Sequence, residues 1–180
     1  MRLYLAALLL LVTGISLADS PPSLLFAGTT PALGTQLWQT DNTPQHTKIL
    51  TYLVNTPNGN SKPYPVGSIG QWGIFAAHTL ETGYELWRTD GTPQGTQLLK
   101  ELVKGAESGM PSSTDFMGTP SIQHKQHLLF WSRTPQTLSL TTTDGTPERT
   151  EILKTFPIKA AESALHTDPT FYSLGAYQLF

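Results

Sequence analysis

The sequence predicts an all-β fold of repeated four-stranded antiparallel sheets, about three of them plus the start of a fourth, and three observations carry that prediction. QLWQTDNTPQHTKIL from Gln36, ELWRTDGTPQGTQLL from Glu85 and SLTTTDGTPERTEIL from Ser139 share one skeleton, so that Asp41, Asp90 and Asp144 stand 49 and 54 residues apart. A second landmark keeps nearly the same interval: Phe26, Phe75, Phe130 and Phe180 sit in short apolar runs spaced 49, 55 and 50. Between these landmarks, short runs of large and β-branched residues alternate with stretches rich in Gly, Pro and Asn, the pattern of strands and turns.

The first element lies outside the fold. MRLYLAALLLLVTGISLA places Arg2 before an apolar run from Leu3 to about Val12 and closes on Ser16-Leu17-Ala18, the order of a secretory signal peptide spanning residues 1–18 with cleavage expected after Ala18. An uncleaved anchor is the weaker reading, since a spanning helix needs about 20 apolar residues and Thr13, Gly14 and Ser16 interrupt this one. Residues 19–180 are therefore expected to be secreted or periplasmic, with no membrane contact after cleavage. The chain has no cysteine, which excludes disulfides, thiolate chemistry and lipid attachment through sulfur. Its formal net charge is −2, one unit more negative once Arg2 leaves. The charges are scattered, so there is no footprint for nucleic acid.

The second unit shows the local logic best. A strand is expected around Ser68 to Gln71, another over Trp72 to His78, a turn at LETG, a third strand over Tyr84 to Thr89, and a last one over Thr96 to Leu102. Within TDGTPQG, Asp90 is placed to accept backbone N–H bonds in an Asx-turn, and Gly91 or its counterpart Asn42 suits a positive φ. Thr92-Pro93 reads as a cap opening a single helical turn. Leu86 and Trp87 are expected on opposite faces of their strand. Connectors beginning at Val54, Val103 and Pro157 follow, the last with a helical turn around Lys159 to Leu165.

On these residues the chain resembles bacterial exported proteins built from ELWxxDGT repeats, whose usual form is ELWxSDGTxxGT followed by an LVKDI-like strand. ELWRTDGTPQGTQLLKEL is similar to that pattern throughout. The first copy departs at Asn42 and His46 and the third at Thr141 and Arg149, which reads as drift in outward packing. The resemblance implies blades like those of a β-propeller and little about activity. Propellers close with about 4 to 8 blades, so three and a half units are expected to be an incomplete propeller. A truncated piece of a longer protein is favoured over completion by several chains or an open arc.

Candidate chemistry is sparse. Asp41, Asp90 and Asp144 recur, but equivalent corners of successive blades do not converge, and paired carboxylate catalysis needs a separation of about 5–10 Å. One carboxylate per loop also offers too few oxygens for calcium, so these read as turn formers. His124 and His127 in HKQH would lie on opposite faces of a single strand, but an exposed hairpin is the favoured reading, with no metal between them. His46, His78 and His166 read as ordinary surface or packing residues. Ser112, Ser113 and Ser163 lie in connectors without a base that spacing would identify. Trp38, Trp72, Trp87 and Trp131 read as packing residues before a sugar-stacking platform. Strand order places Asn58, Asn60, Tyr64, Glu81, Glu107, Arg133 and His166 on one face, opposite the Asp-Gly corners, as the place to look for a ligand.

The function expected is that of an exported, non-catalytic β-repeat module that binds protein or glycan or serves as a structural element, with no cofactor, no metal and no catalytic residue. The alternatives are a fragment of a propeller enzyme acting on polysaccharide as hydrolase or lyase, and a truncated gene product without independent function.

Overall fold

The computed structural model describes residues 24–54, 59–112 and 121–158, together with the backbone of two strands between 172 and 179. The expected signal peptide, the helical turn near Lys159, and Asn58, Ser113, Ser163, His166 and Phe180 lie outside the described residues. Among the described residues no helix is long and apolar enough to cross a membrane.

Three antiparallel sheets follow one another along the chain. The first is β1 (Leu24–Thr30), β2 (Gly34–Thr40) and β3 (Lys48–Thr51). The second is β4 (Tyr64–Ile69), β5 (Trp72–Thr79), β6 (Gly83–Thr89) and β7 (Gln97–Lys100). The third is β8 (Ser121–His124), β9 (His127–Arg133), β10 (Thr137–Thr143) and β11 (Glu151–Pro157). A hairpin of β12 (Tyr172–Leu174) and β13 (Tyr177–Leu179) comes last. Each sheet is a meander, so every strand pairs with its sequence neighbour. The first sheet shows three of the four expected strands, its β1 matching β5 through Phe26 and Phe75 and its leading position falling before residue 24.

Register repeats as faithfully as sequence. In the second unit Ile69 pairs with Trp72 and Ser68 with Gly73; in the third His124 pairs with His127 and Gln123 with Leu128; in the last hairpin Leu174 pairs with Tyr177 and Ser173 with Gln178. The strand expected at Ser68 to Gln71 therefore runs earlier, over β4. Gly70, at φ 57°, turns the chain there, a conformation that costs glycine no Cβ clash. The strand expected over Thr96 to Leu102 is shorter, because the backbone leaves the sheet after Lys100 to bond elsewhere.

All three units also carry a β-bulge at one place, between Leu37 and Trp38, Leu86 and Trp87, and Leu140 and Thr141. The extra residue on the opposing strand is Leu50, Leu99 or Leu153. A bulge bends its strand and sharpens the local twist, and here it turns an extra leucine toward the following sheet. Leu50 is 4 % exposed and Leu99 2 %, whereas Leu153 on the outermost strand is 50 % exposed.

Two apolar clusters join the sheets. Leu37 and Leu50 of the first sheet pack with Phe75 and Ala77 of the second, flanked by Leu25 and Trp87. Ile74, Ala76, Leu86 and Leu99 of the second sheet pack with Leu128 and Phe130 of the third, together with Val66, Ile69, Tyr84 and Met110. Leu86 and Trp87 thus lie on opposite faces, each reaching a different neighbouring sheet. Repeat units that cannot bury both faces alone gain a core by stacking in this way.

Candidate functional site

The corners are built from threonine as much as from aspartate. Oδ1 of Asp41, Asp90 and Asp144 accepts the backbone N–H of Thr43, Thr92 and Thr146 at 2.9–3.0 Å and the same residue's hydroxyl at 2.6–2.7 Å. Those bonds hold all three carboxyls below the usual range, that of Asp41 at about 2. Asn42, Gly91 and Gly145 sit at φ 70°, 88° and 89°, as the turn requires.

A second chain of bonds fixes every remaining hydroxyl. Thr96 donates to the Thr92 carbonyl at 2.7 Å, so its oxygen must accept from Thr89 at 2.7 Å, and Thr89 in turn accepts the Gly91 N–H at 3.0 Å. Thr47, Thr40 and Asn42 repeat this relay in the first unit. Thr150, Thr143 and Gly145 repeat it in the third. The spacing of TDGTPxxT is the spacing of this network. The single turn after each Thr-Pro is present too, as a short 3-10 turn over Pro44–His46 in the first copy and through the Thr92 hydroxyl accepting the Gly95 N–H at 2.9 Å in the second.

The departures from the repeat gain partners. A Cβ on Gly95 would overlap the Asp90 carboxylate. Where the first and third copies carry His46 and Arg149, those side chains pair with Asp41 at 2.6 Å and Asp144 at 3.6 Å. Thr141, in place of tryptophan, is buried against Ser132 with their hydroxyls 2.7 Å apart. These positions therefore do more than drift on an outer surface.

The other sequence candidates separate. His124 and His127 face each other across the two-residue turn joining β8 and β9, the hairpin expected there, so they share a face as a cross-strand pair and are not set on opposite sides of one strand. Among the described residues no three His, Cys, Asp or Glu groups gather in a form that could hold a metal ion. His78 lies edge-on to Tyr84 at 5.2 Å between ring centres, and burial lowers its pKa. The tryptophans pack: Trp38 against Phe26, Trp87 against Phe75, Trp131 against Phe156, and Trp72 beneath the Arg88 guanidinium at 4.2 Å.

Asn60, Tyr64, Glu107 and Arg133 are tied to the connector end of the sheets. Asn60 lies against Gly34, Glu107 against Gly83, Arg133 N–H donates to the Gly109 carbonyl and the Tyr64 hydroxyl to that of Pro111. Glu81 occupies the β5–β6 turn at the same end. The organiser there is Glu85, which sequence reasoning overlooked. It is fully buried and accepts N–H bonds from Leu102, Val103 and Gly109 at 2.7, 3.1 and 3.0 Å. Burial raises its pKa to about 7 against the pull of those three bonds. Its counterpart Gln36 holds the preceding connector with its amide, donating to Leu33 and Gly59 carbonyls. The initial Glu or Gln of the first two copies is thus a latch, closed to solvent.

An open cleft lies elsewhere, between the first two sheets. It has a volume of about 680 Å³ and is walled by Leu25, Phe26 and Leu37 on one side and Trp72 and Phe75 on the other. Gln39, Asp41, His46, Lys48, Asp90 and Thr92 supply its polar groups. Gln39 Oε1 is buried there with no hydrogen-bond partner. The signal that could have found the cleft is the position after Leu-Trp, where Gln39 stands in the first copy and Arg88 in the second. Comparison with family models, with curated proteins and with solved structures finds no match to this chain.

Proposed function

We propose that this chain is a non-catalytic binding module of an exported protein, made of ELWxxDGT-type units stacked as blades of a propeller-like body, and that it holds an extended polypeptide segment in the cleft between its first two sheets. The observation that carries this reading is the cleft itself: about 680 Å³ with mostly apolar walls and a small set of polar groups, the composition of a recognition site. Its position beside β4, an edge strand of the second sheet among the described residues, suits an extended chain, since edge strands offer unpaired backbone groups. A glycan is the less favoured ligand because Trp38, Trp72, Trp87 and Trp131 are each already engaged by another side chain, which leaves less ring surface for sugar stacking.

Panning a phage-displayed random peptide library against the purified chain, beside a glycan array, tests this. Peptides are expected to enrich and to lose binding to Gln39→Arg, which introduces into the cleft the side chain that the second unit carries at this place. Enrichment of glycans alone, or peptides indifferent to Gln39→Arg, would overturn it.

A further inference from the structure

We propose that the cleft takes the guanidinium group of an arginine side chain carried by the bound polypeptide, an inference that rests on the peptide-binding reading above. The argument comes from the joint between the second and third sheets, where this chain supplies such a group itself. Arg88 donates from Nη1 to the Gly145 carbonyl at 2.6 Å and lies 4.2 Å above the Trp72 ring. With the Gln97 amide turned to accept, Arg88 Nη2 and Nε also reach its oxygen at 2.7 and 3.2 Å. One planar cation therefore bridges the outer strands of one sheet and the Asp-Gly corner of the next.

The same three positions in the preceding joint are Gln39 for Arg88, Lys48 for Gln97 and Gly91 for Gly145, and all three line the cleft. No guanidinium is present among them. What remains is acceptor-rich: Gln39 Oε1, buried without a donor, and the carboxylates of Asp41 and Asp90, both held ionised by their threonine bonds. Also lining the space, the His46 ring hydrogen-bonds to Asp41, and Lys48 sets one positive charge against the two carboxylates. The corner also stands clear: a Cβ on Gly91 meets nothing within 4 Å, whereas one on Gly145 runs into Trp72. A flat donor with several N–H groups on a long stem fits this slot better than a compact ammonium, because it can serve more than one acceptor in its plane.

Titration of N-acetyl-arginine amide and its citrulline and lysine counterparts into the full chain, followed by backbone amide NMR, tests the inference. The arginine compound is expected to shift the amides of Gln39, Gly91 and Thr92 and to bind at least about tenfold more tightly than citrulline, a difference of about 1.4 kcal/mol. Gln39→Arg should abolish those shifts. Asp90→Asn, which keeps an oxygen for the Thr92 bonds, should weaken them with the fold intact. Equal binding of arginine and citrulline, or shifts confined to other residues, would overturn the proposal. If library-selected peptides occupy the cleft yet tolerate arginine-to-citrulline replacement, the guanidinium assignment fails and the peptide cleft stands. If no peptide occupies it, both fail.

Discussion

The two joints of this molecule are built to one plan and finished differently. Between the second and third sheets, Arg88 and Lys100 reach the carbonyls of Gly145 and Pro147, and ten buried residues fill the space. Between the first and second sheets four do so among the described residues, Gln39 replaces Arg88, and a cleft stays open. Among the described residues, the strands that the sheets share, with their bulges and corners, follow one plan on both sides, although the first sheet shows three strands where the others show four. The two joints differ, among the described residues, in the side chains that face the next corner, which is how a repeat scaffold can vary one joint without disturbing its neighbours.

The bulge leucines give the largest test of that difference. Leu99→Ala, in the closed joint, should cost about 3 kcal/mol of stability, Leu50→Ala about 2 because its surroundings already border open space, and Leu153→Ala less than about 0.5. Denaturant unfolding measures all three, and equal losses would contradict the distinction between joints.

The connector latches sharpen the comparison through pH. The carboxyl of Glu85 has a folded-state pKa raised from 4.5 to about 7, so the folded chain binds its proton more tightly than the unfolded chain does. That contribution is fully present below the unfolded value and is lost as pH rises through about 7, up to about 3 kcal/mol in all. Gln36 contributes nothing of the kind to the first unit. Stability measured from pH 5 to pH 8 should therefore decline in this window, and Glu85→Gln should flatten the decline.

Smaller effects follow from exchanging the two joint residues. Arg88→Gln removes a charge-assisted hydrogen bond and the stacking on Trp72, and should cost about 1–2 kcal/mol. Gln39→Arg should raise the unfolding midpoint by less than about 1 kcal/mol equivalent, by giving the first joint a guanidinium of its own. A loss of stability there would show that the cleft is shaped by something other than the missing cation.

Much of the fold was legible in the sequence because its signals are local. The Asp-Gly turn, the Thr-Pro turn and the opposite facing of Leu86 and Trp87 each depend on residues a few positions apart. The bulge was not legible, since it is a property of two strands and only register reveals it. The threonine relay was visible as a pattern but not as a network, because each hydroxyl's direction follows from the previous one. The hairpin at HKQH was legible because its turn is local. Glu85 was not singled out, because the backbone groups it holds come from residues 102 to 109, outside the motif. The cleft depends on which residue faces the next unit's corner, across about fifty residues, and was only faintly marked by Gln39 standing where the second copy has Arg88.

Hydrogen exchange of the backbone amides in the purified chain tests the unequal joints most directly. Amides of β5, β6 and β9, which share the filled joint, are expected to exchange only on global unfolding, while those of β1 and β2 exchange at least about tenfold faster through separate opening of the first joint. Uniform protection across all of these strands would contradict the account.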